Sequence, residues 1–151
     1  MYQRILVALD GSDTSKHALE AAIRLGQDCR ATLTAVYVVD NTPVLYDAGY
    51  YDPTALRQAL MEEGERVMAE AKKQIEAAGL EAQARVVEVE LLGDDISHEL
   101  DKAAQAARAD VVVMGTHGRR GFKRLMLGSV AERYVRIASR PVLLIPTPRP
   151  A

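Results

Sequence analysis

The chain has 151 residues, enough for one domain, and at that length folding buries roughly 70% of the surface the unfolded chain exposes. A hydrophobic fraction of 48% and a charged fraction of 26% exclude disordered, collagen-like and low-complexity classes, and 19 basic against 21 acidic residues lack the basic excess that bulk nucleic-acid binding needs. The single cysteine, Cys29, excludes an internal disulfide and any paired-cysteine metal motif; with no export signal at the N-terminus and no apolar run near the roughly 18 residues of a membrane span, the expectation is a cytoplasmic protein without membrane span or nucleic-acid partner.

The first element is the apolar run Ile5 to Leu9, a strand buried on both faces and therefore part of a parallel sheet, ended by Asp10, Gly11 and Ser12. From Asp13 to Cys29 the positions Ala18, Leu19, Ala22, Ile23 and Gly26 mark one helix face, with Ser12 and Asp13 as suitable caps. Ala31 to Val39, rich in β-branched residues, reads as the second strand and closes at Asp40 to Pro43. Val44 to Tyr51 has no periodicity and reads as a loop.

Asp52 and Pro53 open a long helix, sustained by Leu56, Leu60, Val67, Ala71 and Ile75 as far as Gly79. Arg85 to Leu92 reads as the third strand, and Gly93, Asp94 and Asp95 turn the chain into a helix carried by Ile96, Leu100, Ala103, Ala104 and Ala107. Val111 to Met114 is a fourth strand and Pro141 to Ile145 a fifth, with a helix between them from Gly128 to Ala138. The order βαβαβαβαβ predicts an α/β fold: one doubly wound, open, parallel five-stranded sheet with helices on both faces, over residues 1–146. Residues 147–151, with Pro148 and Pro150 behind Pro146, read as an extended, mobile tail.

Open α/β sheets bind ligands beyond the carboxyl ends of their strands, where the winding reverses, which directs attention to the segments after the first and fourth strands. The first is Asp10-Gly11-Ser12; the second runs from Gly115 through Ser129 and combines glycines, Arg119, Arg120, Lys123 and Arg124 with a helix start at Gly128-Ser129. Glycines let backbone amides approach an anion, and a helix start leaves amides unpaired for phosphate. The competing reading is that the glycines serve turns, the basic residues are a solvated face and Asp10 only closes its own turn. Neither the P-loop pattern nor the dinucleotide fingerprint is present. The spacing that remains is G-x2-G-x9-G-S, formed by Gly115, Gly118, Gly128 and Ser129.

With this spacing go ILVALDGS at Ile5 to Ser12, YVVD at Tyr37 to Asp40, LMLGSVAE and the closing PVLLIP. On these segments the chain resembles the universal stress protein family, in its nucleotide-binding branch. The resemblance implies ATP, with Mg2+ or Mn2+ as the candidate accompanying ion. It places Gly115, Gly118, Gly128 and Ser129 around ribose and phosphates, Val38 beside adenine and Asp10 at the adenosine end. Ala8, Leu9, Met114, Thr116, His117, Arg119, Val130 and Ala131 complete the candidate binding set. Ala131 stands where some nucleotide-binding relatives carry a hydroxyl, which removes one phosphate or metal contact.

His117, between two motif glycines, is a candidate phosphate donor or a solvated loop histidine; His17 and His98 fit surface or capping roles better than metal ligation, and Cys29 fits a partly buried apolar position. The resemblance also implies a homodimer paired through the Pro141 to Ile145 edge strand. The expected function is that of an ATP-binding regulatory protein of the stress response, a nucleotide-dependent switch or partner-binding module, with a slow ATP hydrolase or phosphotransferase as the alternative. A hydrolase needs both a positioned base and a metal-holding carboxylate, and Asp10 alone does not supply both. A nucleotide-free interaction module is the third possibility.

Overall fold

The computed structural model describes residues 1–40, 52–89, 94–117 and 127–148. The elements are β1 (Arg4–Leu9), α1 (Asp13–Cys29), β2 (Thr32–Val39), α2 (Pro53–Ala77), β3 (Ala82–Glu88), α3 (Ile96–Ala106), β4 (Val111–Gly115), α4 (Ser129–Ile137) and β5 (Val142–Ile145). All strand pairs are parallel and their order is β3-β2-β1-β4-β5. The doubly wound α/β fold expected from the alternation of elements is the fold observed. Among the described residues no helix is long and apolar enough to cross a membrane.

From Ile5 to Leu9 strand β1 is apolar because both of its faces are covered. Ile5, Val7 and Leu9 enter one core with Ala18, Leu19 and Ala22 of α1 and Met68, Ala71 and Ile75 of α2. Leu6 enters the other with Val36, Val112, Leu100 and Ala104 of α3, and Ala131 and Tyr134 of α4. The period of two along the strand thus sorts side chains between two helical layers. A buried Leu, Ile or Val on either face contributes about 1.5–3 kcal/mol relative to its exposed state, so the centre of the sheet carries much of the stability.

The third strand begins earlier than its pattern suggests: β3 spans Ala82–Glu88, where Arg85 to Leu92 was expected. Ala82 pairs with Leu33 and Ala84 with Ala35, and both alanines pack partly buried against the α1–α2 core. Alanine is a poor strand former by itself, and here pairing and burial decide. Val89 still donates its amide to the Val39 carbonyl at 2.9 Å, and positions 90–92 of the expected strand lie outside the described residues. So does the expected loop from Val44 to Tyr51.

The other boundaries agree within a residue or two. Asp52 caps α2 by accepting from the Thr54 amide at 3.0 Å, and Arg30, left-handed at φ 56°, ends α1. Thr147 departs from the expected mobile tail: its hydroxyl lies 2.7 Å from that of Thr14 on the first turn of α1. The chain leaving β5 is therefore fastened back onto the domain.

Candidate functional site

From β1 the chain winds outward through β2 to β3, then returns across the sheet to β4 on the other side of β1. Open α/β sheets form their binding crevice at such a reversal, between the carboxyl ends of the two strands, and here that position is framed by Asp10-Gly11-Ser12 after β1 and Gly115-Thr116-His117 after β4.

On the β1 side the polar groups are committed to the turn. Asp10 Oδ1 accepts from the Ser12 amide at 2.9 Å, and Gly11 takes φ 81°, a conformation that favours glycine. Ser12 caps α1: its Oγ accepts from the Ser15 amide at 3.2 Å, while Ser15 Oγ donates to the Ser12 carbonyl at 2.9 Å. The turn-closing role weighed for Asp10 is thus present in the structure.

On the β4 side the backbone connects three elements. The Thr116 amide donates to the Ile145 carbonyl of β5 at 3.0 Å, and the Gly128 amide donates to the Thr116 carbonyl at 2.6 Å. The second bond seats the start of α4 against the end of β4. Gly128 is the N-cap of α4 and supplies no side-chain acceptor, so the amides of the first turn have none of the help that Ser12 gives α1.

Gly115 has a packing reason of its own. A Cβ there would lie 2.6 Å from Thr14 Cγ2 and 3.4 Å from the His117 carbonyl oxygen, so the start of α1 closes on β4 only because the residue is glycine. Thr14, buried and bonded to Thr147, is a residue of this rim that the sequence reading missed. Its contact with Gly115 spans 101 positions, and no local pattern signals it.

His117 Nδ1 and Thr116 Oγ1 are 2.9 Å apart, and the buried His117 Nε2 has no hydrogen-bond partner among the described residues. A buried ring nitrogen without a partner is costly, and an acceptor or donor in the crevice would relieve the cost. His17 pairs with Glu20 at 3.6 Å on the surface of α1, and His98 with Asp95 at 2.9 Å.

The remaining expected site residues separate by layer. Ala8, Val38, Met114, Val130 and Ala131 belong to the α3–α4 side, with Met114 and Ala131 buried and the other three half-buried. Leu9 is buried in the opposite core, under α1 and α2. Ser129 is exposed at the first position of α4. Gly118 and Arg119 lie outside the described residues, as do Arg120, Lys123 and Arg124. Among the described residues no group of three or more His, Cys, Asp or Glu side chains is placed to hold a metal ion.

The start of α3, whose sequence reads only as a turn into a helix, stands beside that of α4. Asp95 caps α3 by accepting from the His98 amide at 3.0 Å and receives Arg133 Nη1 of α4 at 2.6 Å. Burial works against the Asp95 charge, but the His98 amide, the His98 ring and Arg133 outweigh it and hold the carboxyl below its usual range.

Residues 1–146 match the family model described as the Universal stress protein family. Universal stress protein MJ0531 of Methanocaldococcus jannaschii is 34% identical over 149 residues, covering 99% of this chain and 85% of that protein. The solved structure of a universal stress family protein from Burkholderia pseudomallei is similar at 44% identity, covering 97% of each chain with a TM-score of 0.78. A universal stress protein solved in complex with cAMP aligns at 25% identity over 95% of this chain and 97% of its own, with a TM-score of 0.64. A match over nearly the whole length, on the fold described above, establishes that this chain belongs to the universal stress protein family.

Proposed function

We propose that the protein binds an adenine nucleotide, ATP, in the crevice between β1 and β4 and acts as a nucleotide-dependent regulatory module of the stress response. The observation that carries the reading is the start of α4: an N-terminus without a side-chain cap, held 2.6 Å from the end of β4 at the reversal of the sheet. A phosphate there would accept from the first amides of α4 and gain from the helix dipole. The buried, unpartnered Nε2 of His117 suits a second polar contact, and half-buried Ala8 and Val38 offer apolar surface for a base. The relative solved with cAMP supports an adenine nucleotide as the ligand class. Gly115, Thr116, Gly128, Ser129, Val130 and Ala131 would form the phosphate side, with Gly118 and Arg119 joining them and Asp10 at the nucleoside end.

The test is to denature fresh protein, identify any released nucleotide by chromatography and mass, and titrate ATP into stripped protein with and without Mg2+. Co-purified ATP, or micromolar binding, is the expected result. A folded protein that releases no nucleotide and gives no heat with ATP overturns the reading. Turnover abolished by Asp10→Ala would replace the switch with the hydrolase.

The same reading includes a homodimer through β5. This strand is at the sheet edge, and Leu143 on it is 40% exposed, with Val135 and Ile137 of α4 also exposed. Pairing of two β5 edges would satisfy open backbone groups and cover this apolar surface. Leu143→Asp is expected to give monomers or insoluble protein by light scattering; a mutant dimer of unchanged mass and stability counts against this interface.

A further inference from the structure

We propose that Asp95 and Ser97, at the start of α3, are positioning residues that aim the first turn of α4 at an anion in the crevice. The inference rests on the nucleotide-binding reading and deepens it. Helix α4 spans nine residues, of which only Ala131 and Tyr134 are buried, so its own packing is a weak constraint on where its N-terminus points. Two tethers from α3 supply the constraint. Ser97, 2% exposed, donates its hydroxyl to the Val130 carbonyl at 3.3 Å, and Asp95 Oδ2 accepts from Arg133 Nη1 at 2.6 Å. Ser129 and Arg133 are four residues apart and share a helix face, so Asp95 acts one turn below the exposed start of α4.

With Gly128 bonded to Thr116 on the other side, the first turn of α4 is suspended between β4 and α3. Backbone amides bind an anion well only when their directions converge on it, and small misplacements are expensive. Asp95 meanwhile caps α3 with its other oxygen, through the His98 amide at 3.0 Å and the His98 ring at 2.9 Å, so one carboxylate fixes both helix starts. Arg133 is 68% exposed and its ion pair adds little to global stability. The effect sought is therefore one of aim, read in binding and local exchange.

The experiment uses Asp95→Asn, which keeps a good cap while removing the charge, Ser97→Ala, Arg133→Gln and the Asp95→Asn/Arg133→Gln double variant. The control is Arg136→Gln, whose partner Glu132 lies on α4 itself. Amide hydrogen exchange of residues 132–136 is measured in ligand-free protein, and ATP affinity by calorimetry. Faster exchange in α4 and a loss of about three- to tenfold in affinity are expected for Asp95→Asn and Ser97→Ala. The double variant should be no weaker than either single by more than about twofold, and Arg136→Gln should bind like wild type.

Unchanged exchange overturns the tether, as does faster exchange with unchanged ATP affinity. Wild-type protein that binds no ATP overturns the nucleotide reading, and the assignment of Asp95 and Ser97 to an anion site falls with it, whatever the exchange data say of the helix.

Discussion

The starts of α1 and α4 flank one crevice and are built in opposite ways. At α1, Asp10, Ser12 and Ser15 spend their side chains on the turn and first amides; at α4, Gly128 offers none. Helices α2 and α3 follow α1, with Asp52 and Asp95 as caps. A helix start that caps itself gains stability and leaves fewer amides for an external anion, which is why the proposed nucleotide reading puts phosphate at α4 and not at α1.

The strongest way to break this arrangement is Gly115→Val, which drives a Cβ into Thr14 Cγ2 at 2.6 Å and pushes the two helix starts apart. Chemical denaturation should register a loss of about 2 kcal/mol, and Thr14→Ser in the same background should restore part of it. Gly128→Asp would make α4 resemble α1: its carboxylate would occupy the first amides, and ATP affinity measured by calorimetry should fall by more than about tenfold while thermal stability holds or rises. Unchanged affinity would remove α4 from the site. Ser12→Ala makes the reciprocal change, costing about 1 kcal/mol of stability with ATP affinity within about twofold of wild type.

The smallest effect lies at the opposite end of the sheet. Asp110 accepts from the amides of Gln3 and Arg4 at 2.8 and 2.9 Å, and those bonds lower its carboxyl below the usual range. A carboxyl lowered by folding stabilises the fold above its unfolded value of roughly 3.9 and loses that contribution as pH falls through the folded value. The melting-temperature gap between wild type and Asp110→Asn should therefore be present at pH 7, narrow below about pH 4 and close in stronger acid.

Much of the fold was legible because β1 from Ile5 onward and β4 are buried on both faces and show it as unbroken apolar runs, β2 shows its strand character in β-branched residues, and the starts of α1, α2 and α3 carry residues that cap by themselves. Alanine hid the beginning of β3, since what makes Ala82 and Ala84 strand residues is their pairing with β2. At the site, Gly128 could be read from its place before a helix. The packing role of Gly115 could not, because Thr14 reaches it only in the folded chain. The ties from Asp95 and Ser97 to α4 were hidden for the same reason: α3 and α4 meet through the tertiary fold.

The central place of β1 also governs the order in which the sheet can close during synthesis. Its neighbour on one side, β2, follows within about 30 residues, whereas Ile5, Leu6 and Val7 find Val111, Val112 and Val113 on the other side only after about 100 more have been made. At translation speeds of about 5–20 residues per second that seam stays open for on the order of 5–20 s. A short apolar strand with an unpaired edge invites pairing between nascent chains. The same topology that sets the winding reversal beside β1 thus leaves one edge of that strand without its native neighbour until β4 has been made.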